Sequence, residues 1–175
     1  MTPVLHITWG FAAVLALVAG WLDWRSRRLP NWLTVPGFCV GVLGNAILGG
    51  ISGAKTSLAG AGIALLVLLP VVLLRGLGAG DWKLMGALGA VVGGGQITAL
   101  LFAAILVAGF FAVAQMIRQR RVFVTLCNLW ALLCGFFLLG LKPHPEISLE
   151  NPAANTLPFG VAVAAATILC AARLY

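Results

Sequence analysis

The chain has 175 residues, of which 62% are hydrophobic and only 9% are charged, and its formal net charge is +7. Ordinary globular chains carry about 25% charged residues, so this composition excludes a water-soluble domain. A helix needs roughly 20 apolar residues to cross the hydrocarbon core, so the length allows about six or seven crossings. We therefore expect an all-α, polytopic transmembrane helix bundle, with residues 1–175 forming one membrane-embedded domain and no soluble domain.

The apolar runs predict spans separated by short polar or glycine-rich segments. These spans cover residues 5–22, 32–50, 57–74, 84–92, 97–117 and 158–174. Pro30 and Asn31 mark the loop after the first span, and a loop at 52–56 separates the second from the third. Residues 76–83 contain three alternating glycines and two charges, which predicts a poor regular helix. A tight turn is expected at 93–95.

The segment 122–140 decides between six spans and seven. It is apolar enough to cross the membrane, yet it follows an arginine cluster and contains Asn128. Those features are also typical of a helix that lies along the membrane interface. The sequence leaves open the role of residues 122–157, the side on which the C-terminus lies, and the oligomeric state.

Basic residues concentrate in alternate loops. The loops after the first, third and fifth spans hold three, two and three basic residues, whereas the loop after the second holds only Lys55 and the one after the fourth holds none. The positive-inside rule then predicts an external N-terminus and cytoplasmic arginine-rich loops. No basic helical face or aromatic platform accompanies the charge, so nucleic-acid binding is not expected.

The chain has only two aspartates, Asp23 and Asp81, and this topology places both on the cytoplasmic face. Two carboxyl groups a few ångströms apart cannot both ionise easily, so they share a proton. The ionised partner can take a proton from water, and the protonated partner can hydrogen-bond the carbonyl that the water attacks. Gly78 and Gly80 lack side chains, so backbone or substrate can approach closely. The pattern predicts an aspartyl pair that needs neither a metal nor an organic cofactor.

Two stretches resemble a known family. Gly78-Ala79-Gly80-Asp81 matches the GxGD motif of membrane aspartyl proteases. The stretch from Asp23 to Asn31, DWRSRRLPN, resembles the first-aspartate motif of type IV prepilin peptidases, in which basic residues and a Leu-Pro-Asn follow the aspartate. Lys83 also fits. Pro158-Phe159-Gly160 is similar to the family pattern, although the family more often shows Tyr there.

The resemblance implies a prepilin leader peptidase of the bacterial inner membrane. Such an enzyme cleaves the basic leader of a prepilin or pseudopilin just before a hydrophobic helix, and Asp23 and Asp81 would be its catalytic residues. Larger members carry a cysteine-tetrad domain and methylate the new N-terminus. Here only nine residues separate Leu22 from Trp32 and no CxxC pair occurs. The chain thus resembles the short, peptidase-only form found with tight-adherence (Flp) pili, in which methylation is not expected.

The neighbouring residues have simpler interpretations. Arg25, Arg27 and Arg28 are typical topology determinants, and Pro30 and Asn31 would shape the loop. Lys83 either lowers a carboxyl pKa in the pair or anchors the fourth span. Glycines at 86, 89 and 93 favour close helix packing.

Two other functions remain open. A proton-coupled transporter could use the same aspartates, although such carriers are expected to place their charges near the midplane and often show internal repeats. A non-enzymatic scaffold for secretion or pilus assembly would not need the aspartates for cleavage.

Overall fold

The computed structural model describes residues 3–74, 76–119 and 159–173, and every element in this part of the chain is helical. The helices are α1 (Pro3–Ser26), α2 (Asn31–Leu73), α3 (Ala79–Val92), α4 (Gly94–Arg118) and α5 (Phe159–Ala172). Among them, α1, α2 and α4 are long and apolar enough to cross a membrane. The predicted segment 122–140 lies outside the described residues, so the choice between six and seven spans stays a prediction.

Helix α2 consists of two arms joined at one residue. Gly50 has φ 60 and ψ −146, a conformation that favours glycine, and it interrupts 43 otherwise helical residues. A straight helix of that length would extend about 65 Å, roughly twice the hydrocarbon thickness. Instead, Gly41 in the first arm and Gly60 in the second both contact the C-terminal end of α3. The arms therefore form a hairpin, and the predicted loop at 52–56 is wrong because residues 51–73 are helical.

Two other helix ends differ from the sequence prediction. Helix α1 continues past the predicted end at residue 22 to Ser26, and Arg27 then adopts a positive φ of 49°. Its amide donates to the Asp23 carbonyl at 2.9 Å, which closes the last turn. Helix α3 begins at Ala79, inside the glycine-rich stretch predicted to be a poor helix, with Gly78 in an extended conformation before it. Both aspartates consequently lie within helices.

Helix α3 forms the buried centre of the described bundle. All residues from 84 to 92 are buried, and Leu84, Met85 and Leu88 have no exposed area. Its C-terminal carbonyls have no partner within the helix, so they need donors from neighbours. Asn45 Nδ2 donates to the Ala90 and Val91 carbonyls at 2.9 Å each, and Ser57 Oγ donates to the Ala90 carbonyl at 2.6 Å. Each arm of α2 thus supplies one polar side chain to α3.

Small residues set the distances between helices. The backbones of Gly60 and Gly89 are in contact, and a Cβ at either position would overlap the other backbone. This confirms the packing role predicted for Gly89. Helix α1 meets α5 in a similar way, because a Cβ on Gly20 would lie 3.0 Å from the Ala164 Cβ. Such close approach is typical of helices that associate within lipid.

The close packing brings several helix ends to the same place. Asp23 near the end of α1 touches Gly160 at the start of α5, and Gly80 at the start of α3 touches Leu29 just before α2. The opposite end of α3 lies near the Gly50 hairpin and is followed by Gly93, which has φ +79° and turns the chain into α4. One end of the bundle therefore collects both aspartates.

We expect Asn45→Ala to destabilise the protein by about 1–3 kcal/mol, because the buried Val91 carbonyl loses its side-chain donor. The measurement is unfolding in detergent by heat or by titrated denaturant. Thr56→Ala is the matched control, since that exposed hydroxyl bonds only the local Gly53 carbonyl. Equal stability of the two variants would contradict the role given to Asn45.

Candidate active site

A cavity of about 300 Å³ opens where the helix ends meet. Its lining residues come from the last turn of α1, the segment that follows it, and the start of α3 with its N-cap. They are Asp23, Arg27, Arg28, Leu29, Gly78, Gly80 and Asp81. The two aspartates, distant in sequence, thus share one cavity.

Asp23 is buried, with 6% of its surface exposed. The amide of Gly160, in the first turn of α5, donates a hydrogen bond to Asp23 Oδ2 at 2.8 Å. The two residues pack so closely that a Cβ on Gly160 would lie 2.9 Å from the Asp23 Cβ. The last described helix therefore fixes the position of the first aspartate.

Asp81 lies in the first turn of α3 and is half-buried. Its Oδ1 atom is buried and has no hydrogen-bond partner among the described residues. Burial, and secondly the negative charge of Asp23, raise the pKa of Asp81 to about 7. Near neutral pH this carboxyl group can therefore hold a proton beside a second carboxyl group.

At both glycine positions of the Gly78-Ala79-Gly80-Asp81 motif, a side chain would crowd a neighbouring group. A Cβ on Gly78 would lie 3.2 Å from Asp81 Oδ2, so the absent side chain leaves that carboxyl its room. A Cβ on Gly80 would lie 3.0 Å from the Leu29 Cβ and 3.2 Å from the Leu29 carbonyl oxygen. Gly80 thus allows the segment after α1 to pack against the start of α3.

Pro30, Asn31 and Lys83 join the two motifs away from the carboxyl groups. The Pro30 carbonyl accepts the Leu33 amide at 3.1 Å and so starts α2. Lys83 Nζ donates to Asn31 Oδ1 at 3.0 Å. Neither Lys83 nor Asn31 lines the cavity. Their contact ties the beginning of α2 to the first turn of α3, which is a structural function.

Sequence reasoning assigned the arginines after Asp23 to topology alone, but two of them line the cavity. Arg27 and Arg28 face the space that both aspartates share. Arg25 has a different position, with its guanidinium 5.9 Å from the centre of the Trp21 ring. The positive φ of Arg27 could not be recognised from sequence, because non-glycine residues seldom adopt it.

No group of three or more His, Cys, Asp or Glu side chains converges among the described residues. The carboxyl pair is the only acidic cluster that residues 3–74, 76–119 and 159–173 offer, since they contain no other Asp or Glu.

The sequence model of the type IV leader peptidase family matches residues 10–113, which include both aspartates. The chain belongs to the type IV leader peptidase family. This confirms the resemblance inferred from the two motifs. Helix α5, which contacts Asp23, lies beyond the matched residues.

A curated relative supports the same family. The chain is 31% identical over 147 residues to the prepilin leader peptidase/N-methyltransferase of Escherichia coli (strain K12). The match covers 80% of this chain and 64% of the relative, so the chain spans less than two-thirds of that protein's length. No solved structure gives a significant match. Membership in the family and the apolar helices together indicate a membrane protein.

The raised pKa of Asp81 has a consequence for stability. Between about pH 4 and pH 7 the folded protein binds more protons at this group than the unfolded chain does, so stability contributed by the protonated group is lost as pH rises through this range. We expect Asp81→Asn to have a higher unfolding temperature than the unmodified protein at pH 8, with the difference shrinking toward pH 4. Thermal unfolding in detergent across this range measures it, and a difference that grows on acidification would contradict it.

Proposed function

We propose that this chain is a prepilin leader peptidase, an aspartic endopeptidase that cleaves the basic leader of prepilin-like proteins. Asp23 and Asp81 would be its catalytic residues, in one membrane-embedded domain. The observation that carries the proposal is the shared cavity: the chain's only two aspartates lie together in it. Membership in the type IV leader peptidase family supplies the substrate class.

The chemistry follows from two adjacent carboxyl groups that hold one proton between them. The ionised group removes a proton from water as the water oxygen attacks the peptide carbonyl, and the protonated group hydrogen-bonds the carbonyl oxygen. Because the groups interact strongly, their titration belongs to the pair rather than to either residue. Burial of both groups strengthens this coupling, since charges interact more strongly away from water.

The location of the cavity suits a cut at the membrane boundary. Asp23 lies in the last turn of α1 and Asp81 in the first turn of α3, so the site is near the end of the bundle rather than at its middle. With the N-terminus outside, this end of the bundle lies on the cytoplasmic side of a bacterial inner membrane. That position fits a substrate whose leader is cytoplasmic and whose following segment is a hydrophobic helix.

Arg27 and Arg28 limit how a basic leader can bind. Their positive charges line the cavity and repel other cations at close range. We infer that only the segment around the scissile bond enters the cavity, while the basic residues of a prepilin or pseudopilin leader stay outside it.

The short connection between α1 and α2 favours a peptidase without methylation. Only residues 27–30 separate the two helices, so no additional domain is inserted there. The E. coli relative is named for both peptidase and N-methyltransferase functions, and the chain matches 64% of its length. The proposal assigns only the peptidase function to the present chain.

Replacing either aspartate tests the proposal. We expect Asp23→Asn and Asp81→Asn each to abolish cleavage of a prepilin by purified protein in lipid, because an amide can neither accept the water proton nor share one. Glu146→Gln and Glu150→Gln are matched controls, since each also removes one negative charge from the chain's other acidic residues. Leader removal is read as a mass change of the substrate.

Cleavage retained by either aspartate variant would exclude the aspartyl mechanism. Uptake into vesicles driven by a pH gradient would instead favour a transporter. Normal pilus assembly in cells that carry both substitutions would favour a scaffold.

Activity should also depend on pH. Asp81 has a pKa of about 7, so the shared proton is lost as pH rises above that value. We expect kcat/KM to be high below about pH 7 and to fall roughly tenfold per pH unit well above it. Initial cleavage rates measured from pH 5 to pH 9 test this, and activity that increases up to pH 9 would contradict it.

A further inference from the structure

The two carboxyl groups of the pair have unequal surroundings. Asp23 Oδ2 accepts the Gly160 amide at 2.8 Å, whereas Asp81 Oδ1 is buried without a partner in the described part of the chain. A hydrogen bond from an amide favours the ionised form of a carboxyl group. A buried carboxyl oxygen without a donor does not receive that stabilisation.

The donor lies at a helix start. Helix α5 begins at Phe159, so the amide of Gly160 is among the first-turn amides that lack a partner within the helix. The N-terminal end of a helix also carries a partial positive charge, which stabilises a nearby anion. Both effects act on Asp23, and its burial reduces their screening by solvent.

Only glycine permits this contact. A Cβ at position 160 would lie 2.9 Å from the Asp23 Cβ and 3.0 Å from its Oδ2, so Asp23 would have to move. The packing of Gly20 against Ala164 holds the same two helices together one turn away. The position of the donor is therefore set by the α1–α5 contact.

The charged groups around Asp23 come from two places, the segment after α1 and the start of α3. Arg27 and Arg28 of the segment after α1 line the shared cavity, and Asp81 enters it from α3. The described part of α5 contributes the Gly160 amide and no charged side chain there. Lys83 of α3 is bonded to Asn31 of α2 and does not line the cavity.

We propose, building on the peptidase function above, that Gly160 is a positioning residue whose amide holds Asp23 as the ionised member of the pair. Asp23 then takes a proton from water as the new C–O bond forms, while Asp81 gives its proton to the carbonyl oxygen. When the C–N bond breaks, Asp23 passes its proton to the leaving amine and a hydroxyl of the intermediate returns one to Asp81. Both carboxyl groups end in their starting states.

Gly160→Ala tests the positioning role by kinetics. We expect kcat to fall about 10- to 100-fold with KM within about twofold, because the reacting carboxyl is displaced. At low pH, protonation of Asp23 should reduce cleavage, and this acidic limb of the pH–rate profile should move to higher pH in the variant, since the carboxylate loses its donor. Gly62→Ala is the matched control, because that helical glycine has nothing within 4 Å of the added Cβ. An unchanged kcat, or a fall with an unshifted acidic limb, would overturn the proposal.

A second measurement does not depend on how well the Gly160→Ala variant folds. Phe159-Gly160 is the only Phe-Gly pair in the sequence, so labelling Phe with carbonyl ¹³C and Gly with ¹⁵N gives one selectable NMR signal. We expect the Gly160 amide proton to shift as pH is lowered through the titration of Asp23, and this shift to be absent in Asp23→Ala. A resonance that does not respond to pH, or responds equally in Asp23→Ala, would overturn the proposal.

The outcomes also separate this inference from the function on which it rests. No cleavage by the unmodified protein would overturn both. Cleavage that needs both aspartates yet is unaffected by Gly160→Ala would overturn the positioning role alone.

Discussion

The burial of α3 is the constraint on which the described structure depends. Nine consecutive residues of this short helix are buried, so its polar backbone groups must find partners within the protein. Asn45 and Ser57 meet that requirement for the last carbonyls, one from each arm of α2. The hairpin at Gly50 is what allows both arms to reach the same end of α3. Fixing that end also fixes the opposite end, where Asp81 lies.

The same packing gives the cavity its unequal pair of carboxyl groups. A buried polar atom without a hydrogen-bond partner costs about 1–3 kcal/mol. Oδ1 of Asp81 is such an atom, whereas Oδ2 of Asp23 accepts a hydrogen bond from the Gly160 amide in the first turn of α5. The proposed mechanism gives the two aspartates different roles, and the surroundings of the two side chains already differ before any substrate binds.

Composition and motif spacing predicted the helical class, the position of most apolar segments and the family. They predicted two spans joined by a short connection where α2 lies, but they placed the turn at 52–56 because Lys55 suggested a polar loop, whereas the turn needs only the backbone freedom of Gly50. Asn45 and Ser57 were missed because their acceptors lie far away in sequence. The cavity positions of Arg27 and Arg28 were missed for a different reason. A basic cluster beside a span is already accounted for by the positive-inside rule, so the sequence gives no separate indication that these side chains also line the cavity. Gly160 had only a weak motif signal.

The bond between Asp23 and Gly160 joins residues 137 positions apart, and this separation matters during biosynthesis. Both aspartates are translated and can enter the bilayer well before α5 leaves the ribosome. Until then Asp23 lacks the hydrogen bond from the Gly160 amide. With the proposed catalytic roles, the chain would therefore lack cleavage activity until α5 has been inserted beside α1.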